Sequence, residues 1–100
     1  MSADLSYLKP ATTKLLNLST AHVSQETCDA ASAGAIPWAV TYKTVHGFFA
    51  YCHEERETES HDDLWAVLQF AVQRGYHYVL FDADAEALDQ SVAGLQLFDW

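Results

Sequence analysis

Residues 60–81 switch hydrophobic period once, and that switch limits the folds open to this chain more than any other feature. Leu64, Leu68, Ala71 and Val72 recur at i, i+4, i+7 and i+8, which winds one apolar stripe along a helix. Arg74 places a cation at its end, and Gly75 supplies a residue that can enter the left-handed region and stop it. Ahead of it, Ser60-His61-Asp62-Asp63 reads as a Ser-x-x-Asp capping box. Residues 77–81, His-Tyr-Val-Leu-Phe, are then apolar on both faces, the pattern of a strand covered on each side. A helix feeding such a strand needs the rest of a sheet around it.

The upstream sequence provides that sheet. Residues 14–19 form a short apolar run suited to a strand, and Ser24 caps a helix with Glu26 in its first turn, running through Ala33 to a stop at Gly34. Trp38, Val40 and Tyr42 alternate with Ala39, Thr41 and Lys43; after a turn at residues 45–47, residues 48–52 continue in β-rich style. A short last strand is expected at residues 95–98. The order β-α-β-β-α-β(β) predicts an α+β domain: an antiparallel sheet of four to five strands with two helices on one face, ferredoxin-like. One conflict stands out. That fold puts its fourth strand at an edge, whereas residues 77–81 read as central, so the C-terminal strand is expected on the free side. With half of its 100 residues hydrophobic, the chain fills one core, and residues 1–100 read as a single domain with 1–11 as a flexible N-terminal segment.

Charge narrows the partners. The net charge is −9, and all of the excess falls in residues 51–100, where Arg56 and Arg74 are the only cations. Direct nucleic-acid binding is disfavoured, since it needs a basic footprint, and a basic protein surface is the better match. Residues 1–7 contain no basic stretch followed by an apolar run, and no run of about 18 apolar residues occurs, so no membrane span and a cytoplasmic location are expected. Cys28 and Cys52 lack CxxC spacing and read as two reduced, buried thiols, with a single bridge as the alternative.

The stretch "HEERETESHDD" at residues 53–63 is the strongest functional candidate. In an extended chain Glu55, Glu57 and Glu59 face one side about 6.6 Å apart. The stretch is either a solvated connection whose Asp62 and Asp63 favour a helix start, or a docking surface built from Glu54, Glu55, Glu57, Glu59, Asp62 and Asp63, joined by Asp82 and Asp84 if the fold gathers them. Asp82-x-Asp84 at a strand end, with His22, defines the alternative: a small metal-dependent enzyme or ligand-binding module using oxygen ligands for Mg²⁺. No glycine-rich phosphate loop accompanies it, and the five histidines show neither HxxxH nor HExxH spacing. Cys52 and His53 are strand neighbours facing opposite ways, poorly placed as nucleophile and base. The expectation is therefore a non-enzymatic protein with no cofactor. Trp38, Tyr42, Phe48, Phe49, Tyr51, Tyr76, Tyr78 and Phe81 are spread over three strands of which two helices cover one face, so rings exposed on the other face predict a partner interface or a homodimeric scaffold, unless terminal residues such as Trp100 cover them.

Several short motifs in order carry a resemblance. Residues 18–22 (LSTAH), 47–51 (GFFAY), Asp62-Asp63-Leu64, Gly75, residues 79–84 (VLFDAD) and 98–100 (FDW) resemble a family of small uncharacterised proteins from bacterial plasmids, integrative elements and prophages. The resemblance spans residues 15–100, with Gly47-Phe48-Phe49 standing where the family layout has Gly-Trp-Phe. It carries over no catalytic residue. What it implies is a mobile-element setting, in which small acidic proteins inhibit host defence complexes, as anti-CRISPR or anti-restriction proteins, by occupying a basic surface.

Overall fold

The computed structural model describes residues 14–88 and 94–98; the N-terminal segment 1–11 and Trp100 lie outside the described residues. Four strands form one mixed sheet in the order β1-β4-β3-β2, with β1 at Leu15–Ser19, β2 at Thr41–Thr44, β3 at Gly47–Tyr51 and β4 at Tyr78–Asp82. Two helices, α1 at Gln25–Ser32 and α2 at Asp62–Gln73, complete the α+β fold, and a 3-10 turn at Thr20–His22 leaves β1.

The expected antiparallel, ferredoxin-like sheet is corrected in one respect. β4 pairs with β3 antiparallel and with β1 parallel, so β4 is central and β1 is one of the two edge strands. The reading of residues 77–81 as a central strand holds, but the strand that fills its free side is β1, not a C-terminal one. Residues 95–98 form no strand; the Phe98 amide donates to the Ala21 carbonyl at 2.7 Å, which docks the segment on the 3-10 turn. Pattern explains who takes which place: β4 is apolar on both faces, while β1 carries Asn17 at its centre and tolerates an exposed edge.

Ser24 caps α1 as expected, its hydroxyl accepting from the Thr27 amide at 3.1 Å, and Gly34 (φ +67°) closes it. The predicted capping box on α2 is absent. His61 occupies the cap position in the left-handed region (φ 53°, ψ 54°) without a side-chain cap bond, and the Asp63 carboxylate is used elsewhere. It accepts from the Ser24 amide and the Thr27 hydroxyl, both at 2.8 Å, which ties the start of α2 to the start of α1.

Strand alternation sorts the sheet into two faces. Leu18, Phe48, Ala50, Val79 and Phe81 are buried and share one core with Leu64, Val67, Leu68 and Ala71 of α2 and Cys28 and Ala31 of α1. Each leucine, valine and phenylalanine among them stabilises the fold by about 1.5–3 kcal/mol. At its centre the rings of Phe48 and Phe81 stack at 4.5 Å. The opposite parity holds Leu15, Tyr42, Phe49, Tyr51, Tyr78 and Leu80, all partly or fully exposed, with Phe49 on Tyr78 at 4.8 Å and Tyr51 against Tyr78 at 5.5 Å. Both cysteines are free and buried.

Candidate functional site: an acidic loop and its cleft

The β3–α2 connection, residues 52–61, is a structured loop. His53 accepts the Val40 amide on Nε2 at 3.1 Å and sets its ring edge-on to Trp38 and Tyr51. Gln69 of α2 donates to the His53 carbonyl at 2.8 Å, and the Trp38 indole donates to the Ser60 carbonyl at 2.9 Å. Both ends of the loop are therefore anchored.

Arg56 decides the loop's electrostatics. Its guanidinium lies over the Trp65 ring at 4.9 Å and donates to the Ser60 carbonyl at 3.1 Å and to Asp62 Oδ1 at 2.7 Å. The only cation of the stretch is turned inward and neutralised by Asp62. Glu54, Glu55, Glu57 and Glu59 are all exposed, and among the described residues no cation pairs with any of them.

The other predicted carboxylates do not join this group. Asp63 is turned inward between the two helices. Asp82 ends β4 and Asp84 lies just beyond it, at the far end of the sheet: Tyr78 pairs with Tyr51, next to the loop, whereas Asp82 pairs with Gly47. Four residue steps along the strand separate those ends, about 13 Å. Asp82 Oδ1 accepts the Asp84 amide at 2.8 Å, an Asx turn that closes the strand, and Asp84 lies 4.0 Å from the exposed His46.

Beside the loop, between the end of β3 and the α2–β4 turn, lies a cleft of about 620 Å³ lined by Tyr51, His53, Glu54, Glu55, Tyr76 and His77, with Cys52 in its wall. His77 accepts the Lys14 amide on Nδ1 at 3.2 Å, which leaves its Nε2 free to donate. Burial pushes the Cys52 thiol up to about 11, so it is a neutral wall group and a poor nucleophile at physiological pH. Burial also lowers His53 from its ordinary range, which keeps that ring uncharged. The cleft thus gathers carboxylates, tyrosine rings and imidazoles. Tyr76 and His77 escaped the sequence reading because they meet Glu54 and Glu55 only through the pairing of β3 with β4; the available signal was Gly75, which marks the turn that presents them.

A model described as the C-terminal domain of a family of unknown function, DUF5983, matches residues 15–100. The chain belongs to that family. No curated protein and no solved structure matches it.

In this DUF5983 domain the motifs that carry the resemblance act as joints of the fold. Ser19 accepts the Ala21 amide on its hydroxyl at 3.1 Å. His22, 1% exposed, accepts the Leu88 amide on Nε2 at 2.9 Å and donates from Nδ1 to the Gln96 carbonyl at 3.2 Å. With both ring nitrogens occupied, His22 is a staple for the C-terminal segment, not a ligand beside Asp82 and Asp84. Among the described residues, no three His, Cys, Asp or Glu side chains are arranged to hold a metal ion. No helix among them is long and apolar enough to cross a membrane.

Proposed function

We propose that this domain works by binding rather than catalysis: it docks through Glu54, Glu55, Glu57 and Glu59 onto a basic protein surface, that of a nucleic-acid-handling bacterial defence complex. The inward turn of Arg56 carries this reading, because it removes the only cation from the loop and leaves the glutamates facing solvent without counter-charge. A net charge of −9 steers a cationic partner and repels nucleic acid, so the surface competes for the basic groove without binding the polynucleotide. Asp62, Asp63, Asp82 and Asp84 serve the fold in this reading. The defence setting and a mobile-element origin rest on the resemblance described above.

Phage plating and plasmid clearance on strains carrying restriction or CRISPR systems test it. Expression of the domain should raise plating on at least one such strain, and the triple variant E55K/E57K/E59K should lose the effect while keeping its melting temperature. Inhibition untouched by charge reversal would remove the acidic loop from the mechanism, and no inhibition across the panel would remove the defence setting.

The ring ladder of Tyr42, Phe49, Tyr51 and Tyr78 favours a second reading, a homodimer across the open sheet face, where Asp82 is the only acid on strand residues of that parity. Sedimentation at two concentrations decides it.

A further inference from the structure

The geometry points to a more specific role for the cleft: we infer that it receives an arginine side chain of the protein partner, the guanidinium lying between the Tyr51 and Tyr76 rings and the Glu54 and Glu55 carboxylates. The inference rests on the binding reading above and names the chemistry of its anchor.

Several observations converge on a planar cation. The cleft, at about 620 Å³, falls within the usual range for small-ligand sites and far exceeds what one side chain needs. Its acids are exposed and unpaired among the described residues, so a guanidinium entering there acquires charge-assisted hydrogen bonds without breaking an existing pair. One wall already attracts a cation: the Lys14 ammonium lies 5.2 Å from the centroid of the Tyr76 ring, beside Gly75 at the cleft's margin. The fold uses the same chemistry elsewhere, with Arg56 over Trp65 and Arg74 over Phe70 at 3.7 Å. Arginine suits the site better than lysine, since its flat fork both stacks on a ring and matches a carboxylate. His53 leaves the cleft its negative balance, because its Nε2 accepts the Val40 amide and the ring stays neutral.

Titrating N-acetyl-arginine amide into the ¹⁵N-labelled domain tests this directly. Amide shifts are expected at Glu54, Glu55, Gly75, Tyr76 and His77, with the isosteric but uncharged N-acetyl-citrulline amide binding about three- to fivefold more weakly. N-acetyl-lysine amide should also bind more weakly than the arginine probe. Tyr76→Leu should weaken the arginine probe, and Lys14→Gln, which removes the competing cation while leaving its backbone bonds, should tighten it about twofold. The Lys14 variant guards against a trivial folding failure, since a gain in binding requires a folded domain. Equal binding of arginine and citrulline probes, or shifts at Glu57 and Glu59 with none at Gly75 and Tyr76, would overturn the inference. A hexa-arginine peptide separates the two levels: if it binds the acidic loop while the single-residue probe leaves the cleft unmoved, the docking surface stands and the arginine pocket falls. If neither probe binds, both fall.

Discussion

Gly47 pairs with Asp82 across the β3–β4 ladder and lies so close to the preceding peptide that a Cβ on Gly47 would fall inside the Phe81 carbonyl group. The obstacle is backbone of the central strand, which cannot rotate aside. Gly47→Ala is expected to destabilise the domain by about 3 kcal/mol or more, the upper end for a single substitution, and to lower the melting temperature by more than about 10 °C. Thermal and urea unfolding measure it; a shift within about 0.5 kcal/mol would show that β3 and β4 do not pair in this register.

Neighbouring aspartates should behave differently. Asp63 accepts two buried-side bonds across the helix pair, whereas Asp62, with 81% of its side chain exposed, pairs with Arg56 at the surface. Asp63→Ala should cost about 2–4 kcal/mol, because the Ser24 amide and the Thr27 hydroxyl lose a charged acceptor. Asp62→Asn should cost about 1 kcal/mol or less. Urea midpoints at constant m-value give both numbers.

Replacement of His22 by alanine should release the C-terminal segment. Loss of the bonds to Leu88 and Gln96, plus the void left by a buried ring, is expected to cost about 2–4 kcal/mol and to speed hydrogen exchange at the Leu88 and Phe98 amides. In the wild type, titration with Zn²⁺, Mn²⁺ or Mg²⁺ should leave the melting temperature unchanged; a saturable rise would revive a metal site at Asp82 and Asp84.

Cys52 should be slow to alkylate. Its thiol is pushed up to about 11 by burial, and Cys28 is raised for the same reason, with Asp29 adding to the effect. At pH 8 iodoacetamide should label the native domain far more slowly than the urea-unfolded chain. A raised folded value means that the neutral thiol stabilises the fold fully below the ordinary 9.0 and that this contribution is lost as pH climbs towards 11. Cys52→Ala should flatten the fall in stability over that alkaline window.

The acid side belongs to His53. Burial lowers its folded value, so its contribution is complete above the ordinary 6.5 and is lost as pH falls through the folded value. Protonation also removes the acceptor for the Val40 amide. His53→Gln keeps an acceptor without the titration, and the difference in stability between wild type and variant should change sign or shrink between about pH 7 and pH 5. A constant difference across that range would show that His53 does not titrate against the fold.

Local sequence carried a good share of this. The α2 stripe, the stop at Gly75, the cap at Ser24, the β2–β3 hairpin and the central character of β4 all follow from period and from single residues with one strong preference. The capping box at Ser60 did not, because Asp63 had a better use: two donors at the start of α1, 36 and 39 residues away, compete for the carboxylate that a local cap would need.

The acidic loop was visible as composition, yet its polarity was not. Only packing against Trp65 and pairing with Asp62 turn Arg56 inward, and only strand register sends Asp82 and Asp84 to the end of the sheet away from Glu54 and Glu55. Alone, the order of residues determined which segments become helix or strand and that the second half of the chain is acidic, since both depend on neighbours a few positions apart. Which strand flanks β4, which carboxylates stay exposed and which residues line the cleft were decided by the tertiary structure. Those outcomes depend on contacts such as Leu15 with Tyr78 and Tyr51 with Tyr78, whose free energy is realised only after distant segments have been brought together.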